Sequence, residues 1–279
     1  MQYLLPQHLL SALMYRFARL RWRSLSDLLI RAFARRFRVD MSEALEPDLG
    51  AYPSFNAFFT RALKPGARPL PASPTAIACP ADGSLSQQGD IHADRLFQAK
   101  GLDYGLEELV GDSAWARRFQ GGSFATIYLS PRDYHRVHMP LTGRLREMIH
   151  IPGRLFSVNG ATARLVPRLF ARNERVVCLF EGEAGPFALI LVGAIFVGGM
   201  ETVWAGEVTP ARGEPPRRHY GDDEPLDLAR GAEMGRFNMG STVILLFPPG
   251  AVTWDGELAP GVALRMGQTL GQRQMAHTP

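Results

Sequence analysis

Residues 237–247, FNMGSTVILLF, set a small polar triplet, Gly240-Ser241-Thr242, directly against an unbroken run of β-forming residues. Glycine and serine punctuate loops, so the triplet reads first as a turn entering a buried strand. Whether that strand belongs to a β-rich body depends on its surroundings. From about residue 75 onward the chain is a series of such runs: FATIYLS (124–130), RVVCLFE (175–181) and FALILVGAIFV (187–197), divided by glycine and proline. Short helical patterns interrupt them at 54–63 (SFNAFFTRAL) and 104–119 (YGLEELVGDSAWARRF). Internal repeats are absent. The expected architecture is α+β, with N-terminal amphipathic helices over residues 1–65 followed by a mainly antiparallel β body over 66–279.

The N-terminal expectation rests on periodicity and charge. In PQHLLSALMYRFARL (6–20), Leu9, Leu10, Leu13, Met14 and Phe17 recur at helical spacing. In SLSDLLIRAFARRF (24–37), Leu25, Leu28, Leu29, Ala32, Phe33 and Phe37 repeat the pattern after a Ser24 to Asp27 capping box. Residues 1–39 hold eight arginines and one acid, Asp27, while the whole chain carries only +4, so the basic character is local. A solvated basic face is the bland reading of such helices. Apolar bulk opposite arginines is also what lies in the plane of an anionic bilayer. Nucleic acid is not expected, since no RNA-binding motif accompanies the charge.

No stretch is long enough to span a bilayer: the longest apolar run, 185–200, has 16 residues with four glycines and fits a pair of buried strands. Charges interrupt every early candidate for a signal sequence. Cys79 and Cys178 lie in apolar contexts without metal or CxxC spacing, which suits core residues of a reducing compartment. The polar, proline-rich stretch 212–227 (RGEPPRRHYGDDEPLD) reads as a long exposed loop just before the opening motif.

Several polar residues have the chemistry of a site. Asp82 stands in CPADGSLSQ, an ordinary turn context. His135 and His138 stand in YLSPRDYHRVHMP (128–140), after an apolar strand. Two histidines three apart share a face of a helix but point to opposite faces of a strand, and the strand is favoured here. With no third ligand nearby, no metal is expected. An aspartate, a histidine and a serine together permit a nucleophilic triad.

At this point a resemblance appears. PADG (80–83), QAKG (98–101), YLSPRDYHRVHMP, PGRLFSVN (152–159), LFARNERVVCLF (169–180), ETVWAG (201–206) and EMGRFNMGST (233–242) follow the order of the phosphatidylserine decarboxylases of the bacterial membrane-associated type. The resemblance spans nearly the whole chain. One departure is Met239, where the family usually has leucine before Gly-Ser; volume and apolarity are kept.

The resemblance implies a proenzyme that cuts itself between Gly240 and Ser241, giving a β chain 1–240 and an α chain 241–279 whose first residue becomes a covalent pyruvoyl cofactor. It implies Asp82, His138 and Ser241 as the self-cleavage triad, with His138 the base and Asp82 its orienting partner. His135 is implied as proton donor in decarboxylation and Tyr128 as a substrate contact. It further implies conversion of phosphatidylserine to phosphatidylethanolamine through an imine, a carboxy-lyase reaction of phospholipid biosynthesis. The setting would be peripheral, on the cytoplasmic side of the cell membrane, in a homodimer of the cleaved pair. A pyruvoyl ketone fits the composition, since Lys64 and Lys100 are the only lysines and a pyridoxal enzyme would depend on Lys100. Two rivals stand beside this reading: an uncleaved serine hydrolase using the same triad, weakened by the lack of a GxSxG elbow, and a cleavage-dead membrane scaffold.

Overall fold

The computed structural model describes residues 6–196, 199–210 and 216–274. Helix α1 (Gln7–Ala18) and helix α2 (Arg23–Phe37) form the N-terminal layer, as the periodicity predicts. The capping box is not formed. Helix α2 begins at Arg23 with Trp22 at its N-cap and no side-chain cap, because Ser26 N bonds Trp22 O at 2.9 Å and Ser26 Oγ donates to Leu20 O at 3.0 Å. That starts the helix a turn too early for Ser24, and Asp27 Oδ1 has no partner.

Helix α1 packs opposite to the usual rule. Its buried residues are Gln7, Ser11 and Ala18, while Leu9, Leu13 and Phe17 are 59%, 55% and 39% exposed. The inward residues are held by polar contacts: Gln7 accepts from Leu155 N at 2.9 Å, Ser11 Oγ accepts from Phe196 N at 3.1 Å, and Tyr15 and Arg19 engage the Glu207 carboxylate. Leu20, Trp22 and Leu28 extend the exposed apolar set. No helix among the described residues is long and apolar enough to cross a membrane.

Helix α3 (Phe55–Phe59) covers only part of the pattern read at 54–63. Ser54 caps its start by accepting from Ala57 N at 3.2 Å, and Thr60 Oγ1 returns to Asn56 O at 2.9 Å at its end. Its phenylalanines build a small core with Ile30, Ala34 and the partly buried Phe33 of α2. The pattern at 104–119 becomes two helices, α4 (Leu106–Val110) and α5 (Ser113–Phe119). Gly111, at φ +73°, ends the first, and the Asp112 carboxylate caps the second at 2.8 Å from Trp115 N.

The strands begin with β1 (Ala76–Ala78), β2 (Gly83–Asp90), β3 (Arg95–Ala99), β4 (Leu102–Gly105), β5 (Ser123–Leu129), β6 (Arg136–His138) and β7 (Gly143–Ile151). After two short helices come β8 (Arg175–Gly182), β9 (Gly185–Val192), β10 (Met200–Thr202), β11 (Gly206–Thr209), β12 (Arg217–His219), β13 (Asp227–Leu228) and β14 (Glu233–Phe237). The last are β15 (Ser241–Phe247), β16 (Val252–Trp254), β17 (Ala263–Leu264) and β18 (Thr269–Arg273). The main sheet runs β12-β7-β8-β9-β15-β5-β2-β17, with β13 also on β7, and every pairing is antiparallel. Smaller sheets run β11-β10-β14-β6 and β1-β18-β16.

The opening stretch lies at the centre. β15 sits between β9 and β5, and its side chains alternate between two cores: Val243, Leu245 and Phe247 on one side, Ile244 and Leu246 on the other. The first core is closed by the smaller sheets through Met200, Met234 and Phe237, the second by α4 and α5 through Leu109 and Phe119. A sheet covered on both faces has no polar face to show, so its strands read as continuous apolar runs although they are antiparallel.

Two other readings change. The apolar run 185–200 supplies β9 and only the first residue of β10, and these two strands belong to different sheets and do not pair. In the stretch 212–227, residues 212–215 lie outside the described residues, and the remainder holds the edge strands β12 and β13 on β7. Charged contacts replace apolar alternation there: Arg144 is bidentate to Asp227 at 2.8 and 3.0 Å, and Arg217 reaches Asp112 at 2.8 Å.

Candidate active site

The chain approaches Ser241 through a β14–β15 connection of Asn238, Met239 and Gly240. Met239 and Gly240 have φ of +156° and +21°. A positive φ strains any side-chain-bearing residue, and Gly240 is the residue type that relieves it. The connection is clamped from both sides. Asn238, fully buried, accepts from Asn56 Nδ2 at 3.1 Å and donates to Glu201 Oε1 at 2.7 Å, while its N–H bonds Gly199 O at 2.9 Å. Met239 packs on the α3 phenylalanine cluster, where leucine would make the same kind of contact.

Ser241 opens β15 opposite Leu129 of β5. It is fully buried, and its Oγ has no hydrogen-bond partner. Buried hydroxyls are ordinarily bonded, and Ser241 shares its unbonded state with Ser123, Thr126 and Thr242, so what sets it apart is its place after Gly240 on a cavity wall. Ser241 lines a cavity of about 380 Å³ with Tyr128, Leu129, Pro131, Val158 and Ile195. Tyr128, paired with Thr242 across the sheet, has its phenol pushed up by burial and then by the Asp133 charge. Tyr128 and Ser241, expected from the sequence as substrate contact and cleavage residue, therefore share one cavity.

The histidines fall on either side of β6. His135 is fully buried, its ring 4.0 Å from that of Phe59. Its Nδ1 bonds Asp133 O at 2.8 Å, which places the ring proton there and leaves a lone pair on Nε2; that nitrogen has no partner. Burial pushes its pKa down to about 3, so the ring is neutral. Its carbonyl accepts from Phe237 N at 3.0 Å, which sets it beside the connection that carries Gly240.

His138 pairs with Glu233 at the far end of the β6–β14 ladder. Its Nδ1 bonds Gly231 O at 2.9 Å and its Nε2 the Tyr134 hydroxyl at 3.0 Å, so both nitrogens are engaged, and burial lowers its pKa. Asp82 makes no hydrogen bond to it. The Asp82 carboxylate is held by Arg68, from Nε at 2.8 Å and Nη2 at 2.5 Å, and by Met266 N at 2.8 Å. Asp82 bears on His138 through space alone, although His138 N bonds Pro80 O at 2.8 Å, two residues away along the chain. Asp82 and His138 thus belong to two separate bonding sets and Ser241 Oγ to neither, because Arg68 holds Asp82 while Gly231 O and the Tyr134 hydroxyl engage His138. Among the described residues no cluster of three or more histidine, cysteine or acidic side chains has metal-binding geometry.

The partners Asn238, Asn56, Glu201, Arg68 and Tyr134 were not singled out from the sequence. Glu201 lies in the ETVWAG segment and Tyr134 in the histidine segment, but their roles appear only when β10 and α3 meet the β14–β15 connection.

Comparison with known proteins now bears on this arrangement. The family model described as phosphatidylserine decarboxylase matches residues 55–272, and a second, described as PSD, matches residues 1–38. The chain belongs to the phosphatidylserine decarboxylase family. It is 58% identical over 277 residues to the phosphatidylserine decarboxylase proenzyme of Ectopseudomonas mendocina, covering 98% of this chain and 97% of that protein. The proenzymes of the same name from Pseudomonas putida and Azotobacter vinelandii are each 58% identical over 274 residues, covering 97% of this chain and 96% of each relative. Membership of this decarboxylase family runs from the basic helices through the Gly240-Ser241 junction to β18, so the N-terminal layer and the β body are matched together.

Proposed function

We propose that the chain is a proenzyme that cuts itself at Gly240-Ser241 and then decarboxylates phosphatidylserine to phosphatidylethanolamine at a membrane surface. The observation that carries the reading is Ser241 itself: a buried, unbonded hydroxyl that follows a positive-φ glycine and faces a largely apolar cavity.

Self-cleavage is written from the chain's own atoms. Ser241 Oγ adds to the Gly240 carbonyl carbon as a base takes its proton. The amide C–N bond then breaks and the Ser241 nitrogen is protonated, leaving an ester. Loss of the Ser241 Cα proton expels the Gly240 carboxylate and forms dehydroalanine, whose hydrolysis yields ammonia and a ketone. Asp82, His138 and Ser241 remain the proposed set for this step, following the family resemblance. For His138 to accept the proton, its Nε2 has to release the Tyr134 hydroxyl. His135 remains the proposed proton donor in decarboxylation, a role for which its neutral ring would first take up a proton on the unbonded Nε2.

The residues around Ser241 fit a pyruvoyl group, because the position is already buried, unbonded and open to the cavity. Such a group supplies a carbonyl that takes the substrate amine and delocalises the electron pair left when carbon dioxide departs. The apolar walls from Leu129, Pro131, Val158 and Ile195 solvate a carboxylate poorly, which favours its loss. Tyr128 is positioned to orient the headgroup.

Peripheral binding at the cytoplasmic face of the cell membrane is part of the proposal, supported by the exposed Leu9, Leu13, Phe17, Leu20, Trp22 and Leu28 beside the arginines of α1 and α2. Phe196, which helps line the Ser241 cavity, is held by Ser11 of α1, so the apolar helix borders the cavity. A homodimer of the cleaved pair completes the proposal and is read by sedimentation.

One denaturing mass measurement tests the central claim. A light chain running from residue 241 to 279 with a ketone-bearing start is expected, whereas an active protein with one intact mass overturns it in favour of an uncleaved hydrolase. Intact and inactive protein would point to the scaffold.

A further inference from the structure

A second cavity, of about 430 Å³, lies on the other side of the 130–134 segment from Ser241, and Arg61 is the residue that gives it a chemistry. Arg61 follows α3 and is only 5% exposed. Its single hydrogen bond runs from Nη2 to Arg132 O at 3.3 Å, its Nε has no partner, and no carboxylate among the described residues lies within ion-pairing distance. Phe58 lies 5.5 Å beneath the guanidinium, and burial pulls its pKa below the usual arginine range. A buried guanidinium without a counter-ion is costly, and structures ordinarily pair one.

The charges around it do not supply the missing partner. Four carboxylates line the cavity, and each is held elsewhere. Asp82 and Glu43 both bind Arg68, at 2.5 and 2.9 Å. Asp133 accepts from Ser130 N at 2.7 Å and Asp40 from Ser42 N at 2.8 Å. On the cationic side, Arg265 is taken by Glu43 at 2.7 Å, and among the described residues Arg132 has only Asp133 at 3.8 Å and Arg38, the left-handed C-cap of α2, has no ion pair. Five arginines line the cavity against these four carboxylates, an excess of one positive charge, and Arg61 is the buried one among them with no described carboxylate at ion-pairing distance.

We propose that this cavity is a binding site for a phosphate-bearing anion, with Arg61 as its buried anchor and Arg132 and Arg38 at its mouth. Planar guanidinium forks match tetrahedral oxyanions, and the buried fork of Arg61 lines the same cavity as those of Arg132 and Arg38. The phosphate comes either from the headgroup of an anionic glycerophospholipid or from free inorganic phosphate. The site is separate from the cavity that holds Ser241.

The test compares the full-length protein with its Arg61→Gln and Arg132→Gln variants. Inorganic phosphate at ten times its dissociation constant is expected to raise the unfolding temperature of the parent by about 2–6 °C over chloride at matched ionic strength. Arg61→Gln should abolish that rise, and Arg132→Gln, at an exposed position, should weaken phosphate affinity at least threefold even if the Arg61 variant does not fold. Vesicles of phosphatidylglycerol in phosphatidylcholine supply the second arm. Loss of vesicle binding in the variants, reversed in the parent by added phosphate, assigns the headgroup; a phosphate response with unchanged vesicle binding assigns the free ion. An equal response of parent and both variants to both probes overturns the site. The light-chain mass in the same samples reports on Ser241 independently.

Discussion

Asn238 is bonded at once to α3 and to β10: its side chain accepts from Asn56 at 3.1 Å and donates to Glu201 at 2.7 Å, two residues before the Gly240 carbonyl. Glu201 in turn takes Arg236 at 2.7 Å and lies 3.8 Å from Arg19 of α1. The N-terminal helices and the Gly240-Ser241 junction therefore share one partly buried polar network. A hydrogen bond to a charged group contributes about 1.5–3 kcal/mol, so Asn238→Ala is expected to slow self-cleavage about tenfold to a hundredfold. Gel analysis of the uncut chain over time after synthesis measures this. Cleavage at the parent rate would show that the clamp does not position the junction.

His135 makes stability depend on pH. Its folded pKa of about 3 lies below the ordinary 6.5, so the unfolded chain binds a proton that the folded chain refuses. Stability is full above pH 6.5 and falls as pH drops from 6.5 towards 3, by at most about 1.4 kcal/mol per pH unit from this ring. Urea midpoints of the uncut Ser241→Ala chain between pH 7 and pH 4 measure the slope. Adding His135→Asn should flatten it, and an unchanged slope would place the titration elsewhere.

Arg68 and Asp82 form a nearly buried pair. Removing one partner strands the other's charge, which typically costs about 3–5 kcal/mol. Arg68→Ala is expected to lower the unfolding temperature by several degrees or to prevent folding, although Arg68 touches neither histidine. A thermal scan of Arg68→Ala against the parent decides it. Near-parent stability would mean that Asp82 finds another partner.

The outward face of α1 has no role within the fold. Replacing Leu9, Leu13 and Phe17 together by glutamine should leave the unfolding temperature within about 2 °C, since surface changes away from such contacts usually stay within about 0.5 kcal/mol. The same change should reduce partitioning onto anionic vesicles at least tenfold, because burying each such side chain contributes about 1.5–3 kcal/mol. Vesicle sedimentation of the triple variant tests it, and undiminished binding would count against α1 as the contact.

How much of this was legible in the sequence differs by element. The β15 run and its neighbours carried their own signal, since strands buried on both faces are apolar throughout. The two long helices were legible from their spacing, but not which face turns inward. Periodicity finds an apolar stripe without saying what it meets, and in α1 the inward contacts of Gln7, Ser11 and Tyr15 are polar and come from residues 155, 196 and 207. Edge strands β12 and β13 escaped because ion pairs rather than alternation hold them. At the site, the motifs singled out Ser241 and Tyr128, which the fold places on one cavity. The separation of Asp82 from His138 was not, because Arg68 reaches Asp82 from a turn 14 residues earlier and no local pattern announces it.

The central position of β15 has one more consequence. It is paired along Ser241–Phe247 with β5 and along Thr242–Leu246 with β9. Before the proposed cut at Gly240-Ser241, closing this sheet is a reaction of one molecule with itself. After it, the same sheet joins two polypeptides of very unequal length, and the middle strand belongs to the shorter. The uncut chain folds at a rate independent of its concentration, whereas recovery of the cut protein from denaturant is a second-order encounter that slows on dilution. The proposed cut would make the fold a one-way product of its own history, assembled while continuous and held afterwards by a strand it would struggle to recapture.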